Sequence, residues 1–339
     1  MADKGKERDE RLAAALRANL KRRKAQARDQ KRPGTEQFET AMAILRGPDV
    51  DRELPRAAQL ILAAAEARHP DAVERRAAFE TRGGSEADWE KALDSLAVAA
   101  GLGSKSAMQQ LILLADNRFE ADPPVQDWAE LRLRIPLGER LRALGGTVVH
   151  TDPMIATVEG MASPAECECL IAAAMPRLGP ALLLTNPPRP DPGRTNLSAW
   201  FKLAELDVIV EMIRTRIART VNTALPSLEI SQVLRYRVGE EFRLHCDFLN
   251  PEAKADEIAR DGQRAMTALI YLNDDFDEGE TSFPELGLKL RVAKGDALIF
   301  ANVDRNGRPD LRTKHAGLPP TRGEKWVFSQ WIRGRFAAS

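Results

Sequence analysis

Between residues 230 and 333 the apolar residues come in short runs, each cut off by a polar turn. No other feature constrains the fold of this chain as tightly. Residues 265–272, 288–292 and 296–301 are such runs, and Asp-Glu-Gly, Pro-Glu-Leu-Gly and Lys-Gly-Asp break them. Residues 230–237 are β-branched and partly alternating, which reads as a further strand. Many short strands with polar turns predict a jelly roll.

The first third has a different texture. Residues 34–119 are rich in alanine and leucine at helical spacing and weakly self-similar. Ala57-Ala58-x-x-Ile61-Leu62-x-Ala64-Ala65 aligns with Ala92-Leu93-x-x-Leu96-Ala97-x-Ala99-Ala100, and Ala72 with Ala107, a period of 35. Such a period is typical of stacked helix–turn–helix units, and the segment resembles tetratricopeptide-like repeats of the SEL type. A partner-binding array and a plain helical cap on the following domain both fit it. His69, before Pro70, is expected at the surface of an inter-helix turn.

The expected class is α+β, in four parts: a basic arm over 1–33, the helical region over 34–119, a linker with a helix over 120–150, and a β-rich domain over 151–337. The arm has twelve Lys/Arg against five Asp/Glu. Leu12, Leu16 and Leu20 allow a helix over 8–27. Lys21-Arg22-Arg23-Lys24 could contact phosphate, but a solvated, partly disordered arm is favoured, and no aromatic residue offers a stacking platform. Residues 128–144 are amphipathic before Gly145-Gly146. Ser163-Pro164-Ala165-Glu166 reads as a helix start. Cys167 and Cys169 within that helix point to different faces and make no metal site. In 206–225, Leu206, Ile209, Ile213, Ile217 and Val221 share one helix face, expected against the back of the sheets.

Length and composition exclude several classes. At 339 residues with 43% hydrophobic content the chain can build more than one core. The formal net charge of zero singles out neither nucleic acid nor membrane as partner. Three cysteines make no disulfide framework and suit a reducing compartment. There is no run of eighteen apolar residues and no signal-peptide core, so a cytoplasmic protein is expected.

The chain has four histidines, and two of them carry the chemistry. His245 and Asp247 are two apart, so on a strand they point to one side while Cys246 turns away. A lone H-x-D is a weak signal, more often a surface pair. Here a second histidine, His315, lies downstream, with Lys325 ten positions beyond it. Two imidazoles and one carboxylate on one face leave three octahedral positions open, the facial triad of non-haem Fe(II) oxygenases.

These residues resemble the prolyl 4-hydroxylase-like branch of the Fe(II)/2-oxoglutarate-dependent dioxygenases over residues 153–333. The resemblance rests on Tyr236 and Gly239 ahead of H-x-D, the I-Y-L-N strand with Tyr271, the G-x-T-x-F-P turn at Gly279, Thr281, Phe283 and Pro284, and the closing H-A-G…G-x-K-W…W-I. It implies a double-stranded β-helix (jelly-roll) core in which His245, Asp247 and His315 bind iron. It also implies that Lys325 pairs with the distal carboxylate of 2-oxoglutarate and Tyr271 hydrogen-bonds to it, with Tyr236, Thr281 and Trp331 in the same pocket. Arg194, Trp200 and Phe242 become candidate substrate contacts; Phe242 is a departure, since the family often has tyrosine there. The implied reaction decarboxylates 2-oxoglutarate to succinate with dioxygen and hydroxylates an unactivated C–H, with ascorbate as an accessory. A prolyl residue of a peptide or protein is the favoured acceptor. A free amino acid or other small molecule, and a non-catalytic adaptor built on the helical repeats, are the alternatives.

Overall fold

The computed structural model describes residues 32–124, 126–183 and 189–334. The helix expected over 8–27 lies outside the described residues.

Five helices open the fold: α1 (Thr35–Arg46), α2 (Val50–Glu66), α3 (Pro70–Glu80), α4 (Glu86–Gly101) and α5 (Lys105–Asp116). The 35-residue period seen in the alanines is also a period of the backbone. The turn after α2 has Arg68 at φ 61°, and the turn after α4 has Gly103 at φ 100°. The N–H groups of Ala67, Arg68 and His69 donate to the carbonyls of Ala63, Ala65 and Ala64. Those of Leu102, Gly103 and Ser104 donate to Val98, Ala100 and Ala99. Then His69 Nδ1 accepts from the Ala72 N–H, and Ser104 Oγ from the Ala107 N–H, each capping the next helix. His69 is therefore not the surface residue expected. Capping α3 turns its ring inward, where it is 4% exposed and stacks on Phe38 at 4.8 Å.

The amphipathic stretch expected over 128–144 is divided into α6 (Trp128–Leu133) and α7 (Leu137–Arg140). Pro136 lies between them and has no N–H to continue the helical ladder. Helix α8 (Pro164–Ala174) carries the expected capping box, with Ser163 and Glu166 bonded to each other's backbone. Glu166 is fully buried and also accepts both arms of the Arg216 guanidinium at 3.0 Å.

Helix α9 (Val208–Thr220) is buried on every side from Val208 to Ala218. The expectation of one buried face holds for Leu206, Ile209, Ile213 and Ile217, but the opposite face is covered too, by the helical hairpins. Gln110 of α5 accepts from the Val208 N–H at 3.0 Å, and Arg75 of α3 donates to the Leu206 carbonyl. Val73, Leu93 and Leu111 of the hairpins, Ile209 and Ile213 of α9, and Phe328 and Ile332 of the sheet belong to one continuous apolar core.

Twelve strands form the two larger antiparallel sheets: β1 (Thr147–Thr151), β2 (Met154–Val158), β3 (Gly179–Pro180), β4 (Leu197–Trp200), β5 (Gln232–Tyr236), β6 (Phe242–His245), β7 (Gln263–Tyr271), β8 (Thr281–Phe283), β9 (Leu288–Leu290), β10 (Ala297–Ala301), β11 (His315–Gly317) and β12 (Lys325–Gly334). The larger sheet runs β1-β2-β10-β7-β12-β5-β4-β3 and the smaller β9-β8-β11-β6. Strand β12 is central and buried on both faces. Trp326, Phe328 and Ile332 join the core with α9, while Lys325, Val327, Ser329 and Trp331 alternate with them and face a cavity between the sheets. No helix among the described residues is long and apolar enough to cross a membrane.

Candidate metal centre

The antiparallel register of β6 and β11 sets His245 directly opposite His315. Asp247 lies just past the end of β6, and its carboxylate turns back between the two rings. Asp247 Oδ1 is 3.5 Å from His245 Nε2, and Oδ2 is 3.6 Å from His315 Nε2. One donor atom from each residue lies within 4.8 Å of the others, the only such cluster among the described residues.

The tautomers follow from the backbone. His245 Nδ1 is 2.8 Å from the Arg243 carbonyl, and His315 Nδ1 is 3.0 Å from the Thr313 carbonyl. A carbonyl only accepts, so each Nδ1 carries the hydrogen and each Nε2 presents a lone pair to the shared point. Burial, with His245 alongside, pushes His315 down to about 4 despite the opposing Asp247, so its imidazole is neutral at neutral pH. Burial alone would raise the Asp247 carboxyl; His315, His245 and the Thr267 hydroxyl together hold it well below the usual carboxylate range. Lone pairs from two imidazoles and a carboxylate, aimed at one point, repel one another until a cation sits among them. This donor set fits a metal such as Fe(II).

Asp247 is aimed by residues that the sequence reading passed over. Thr267 Oγ1 on β7 donates to Asp247 Oδ2 at 2.6 Å, and Asn302 Nδ2 donates to Thr267 Oγ1 at 2.9 Å. All three are buried. This is the outer layer of contacts that orients metal ligands.

A narrow cavity lies beside the three donors. Its wall includes Tyr236, Thr281, Lys325 and Trp331, as expected, and also Gln232 and Ser329, which were not. Both belong to period-two rows, Gln232 with Leu234 and Tyr236, Ser329 with Lys325, Val327 and Trp331. A polar residue in phase with Lys325 was the available signal. Gly317 lines the wall because a Cβ there would meet the Tyr236 hydroxyl at 3.1 Å.

Lys325 is 1% exposed, and its Nζ lies 5.0 Å from the ring centres of both Tyr236 and Tyr271, the chain's two tyrosines. Among the described residues no hydrogen bond or ion pair reaches it. A buried amine in that setting fits a ligand that brings its own negative charge, as a dicarboxylate does. Tyr271 is not on the cavity wall. Its hydroxyl donates to the Leu290 carbonyl at 3.3 Å and lies 3.0 Å from Thr281 Oγ1. The Tyr271 hydroxyl reaches the cavity lining through Thr281.

A wider groove opens outward from the same donors. Arg194, Phe242, His245, Asp247 and Trp331 line both it and the cavity, while Trp200 and Arg264 line only the groove. Arg194 is positioned by backbone pairing of its loop with β6, through Arg243 N–H to Gly193 and Thr195 N–H to Glu241. Its guanidinium stacks 3.7 Å above the Phe242 ring and lies 3.4 Å from Asp191. Trp200 packs 6.0 Å from Trp331.

The family model described as the 2OG-Fe(II) oxygenase superfamily matches residues 231–333. Prolyl 4-hydroxylase 1 of Arabidopsis thaliana is 32% identical over 203 residues, covering 55% of this chain and 71% of that protein. Prolyl 4-hydroxylase subunit alpha-2 of Caenorhabditis elegans is 31% identical over 219 residues, covering 62% of this chain, which spans 40% of that longer protein. Among solved structures, the viral collagen prolyl hydroxylase of Paramecium bursaria Chlorella virus-1 in complex with 2OG is 27% identical, with a TM-score of 0.42, over 53% of this chain and 96% of that one.

Proposed function

This chain belongs to the 2OG-Fe(II) oxygenase superfamily, and we propose on that premise that it hydroxylates an unactivated C–H on a prolyl residue of a peptide or protein. The observation that carries the reading is one cavity that holds both three converging metal donors and the Lys325 side chain, which has no carboxylate partner among the described residues. His245, Asp247 and His315 hold Fe(II). Lys325 takes the distal carboxylate of 2-oxoglutarate, with Thr281 and Tyr236 beside it and Trp331 along the wall. The bound metal and cosubstrate supply the oxidising chemistry with dioxygen. The protein's part is to keep open coordination positions, orient the cosubstrate through Lys325, and exclude water by the apolar walls of Leu234, Leu269 and Val327.

The acceptor enters along the groove past Trp200, Arg194 and Phe242. The prolyl reading is supported by the names of the relatives, several of which are prolyl 4-hydroxylases. We read the two facing sheets as the double-stranded β-helix of this family, and the hairpins with their 35-residue backbone period as SEL-type units. The test is succinate formation from 2-oxoglutarate with Fe(II) and ascorbate, with and without proline-containing peptides. Peptide-stimulated succinate with a mass gain of one oxygen on the peptide is expected. Succinate without any peptide stimulation would move the assignment to a small-molecule acceptor, and no succinate at all would overturn it.

A further inference from the structure

Among the described residues, cations whose side chains are less than 10% exposed come with carboxylates, with Lys325 the exception. The side chains of Arg194, Arg214, Arg216 and Arg235 are each less than 10% exposed. Each has an Asp or Glu oxygen within 4.0 Å: Asp191 at 3.4 Å, Glu211 at 3.4 Å, Glu166 at 3.0 Å and Glu324 at 3.6 Å. Lys325 is as buried and has none among the described residues. It meets two aromatic faces instead, which support an ammonium far less than a carboxylate does. Unlike a guanidinium, a lysine amine can relieve the cost of burial by losing its proton.

We propose that 2-oxoglutarate binding is proton-coupled on the alkaline side of neutrality: there Lys325 is the neutral amine in the ligand-free protein and takes up one proton from solvent as the dicarboxylate enters. The proposal rests on the cosubstrate reading above and adds to it the protonation state of the anchor. The groups facing Lys325 leave no other source for the proton. Tyr236 on β5 and Tyr271 on β7 are pushed up by burial, Tyr271 to about 12, so neither gives up its proton to an amine near neutrality. Thr281 on β8 does not titrate. Glu280 favours the charged amine and Arg291 opposes it. Burial outweighs both and sets the amine down at about 7, well below an ordinary lysine. A carboxylate at hydrogen-bond distance reverses that balance and restores the ammonium.

The sign follows from linkage. Below the ligand-free pKa the amine is already charged and binding takes up nothing. Above it, each binding event consumes a proton, so affinity falls by about tenfold per pH unit. The experiment is calorimetric titration of 2-oxoglutarate into the anaerobic, Fe(II)-loaded full chain, in pairs of buffers with different ionisation enthalpies. About one proton should be taken up near pH 8.5 and about none near pH 5.5. Lys325→Arg, which keeps a permanent cation, should bind with no uptake at either pH. As a second measurement, 2-oxobutanoate, which keeps the keto-acid head but lacks the distal carboxylate, should bind the wild type without uptake. Binding of 2-oxoglutarate with no uptake near pH 8.5, or equal uptake with 2-oxobutanoate, overturns the proposal and leaves the cosubstrate assignment standing. No binding at all overturns the assignment itself.

Discussion

The rings of His245 and His315 face one another across the β6–β11 register with centroids 4.2 Å apart, and each is oriented by a carbonyl two residues earlier in its own chain segment. Neither ring depends on a distant side chain for its tautomer. Asp247 does, and the first predictions separate the two cases.

Asp247→Ala removes the only anionic donor while leaving both imidazoles in place. Fe(II) binding should fall below detection in an anaerobic titration, and 2-oxoglutarate turnover should vanish with it. Wild-type metal stoichiometry in the variant would exclude Asp247 as a ligand.

Thr267→Val keeps the shape of the side chain and deletes the hydroxyl that donates to Asp247 at 2.6 Å. It also leaves Asn302 Nδ2 without its acceptor. Loss of such an outer contact should weaken Fe(II) by roughly ten- to a hundredfold. The metal dissociation constant, measured beside the melting temperature, tells weakened ligation from a general loss of stability.

Lys325→Ala should leave Fe(II) affinity nearly unchanged and weaken 2-oxoglutarate. A charge-assisted contact of this kind contributes about 1.5–3 kcal/mol, roughly ten- to a hundredfold in affinity. Equal cosubstrate affinity in the two proteins would remove Lys325 from the site.

Gly317→Ala places a methyl 3.1 Å from the Tyr236 hydroxyl, so Tyr236 must yield by a few tenths of an ångström into the cavity. A few-fold rise in the KM for 2-oxoglutarate with an unchanged melting temperature is expected. An unchanged KM would show that the wall has room to spare.

Glu166 links pH to stability. Burial raises its pKa, but Arg216, with Ser163 and Arg140, outweighs this and holds it below an ordinary glutamate. The pair's contribution is therefore fully present above the unfolded-state pKa and is lost as pH falls through the depressed folded one. Arg216→Met should cost about 3–5 kcal/mol at neutral pH by leaving a buried carboxylate poorly paired, and should flatten the acid limb of the stability curve. Parallel pH–melting profiles for the two proteins test this.

What could be read from the residues alone was the part written in spacing. His245, Asp247, His315 and Lys325 announce themselves by residue type and interval. The strand runs were legible because polar turns interrupt them, and the hairpin period because alanines repeat where helices touch. Thr267 and Asn302 carried no such mark: a threonine in a strand is ordinary, and only the fold shows what its hydroxyl meets. The strand position of Tyr271 is legible in the sequence, but that its hydroxyl meets Leu290 and Thr281 is set only in three dimensions. His69 was misread because an imidazole before Pro70 looks like a turn residue, and its capping role depends on how α1 folds back over it.

From Val208 to Ala218 helix α9 has no face toward water, and this has a bearing on how such a molecule could have been assembled. A β-rich oxygenase unit without the hairpins would present the outer side of that helix to solvent, so an ancestor that lacked them needed polar residues where Val208–Ala218 is now uniformly covered. The hairpins and the helix are thus a co-adapted pair. Relatives that lost or never acquired the hairpins should replace apolar residues of the corresponding helix by charged or amide ones, beyond the Glu211, Arg214 and Arg216 that are buried and paired here, a trace that can be sought in sequences without solving another structure.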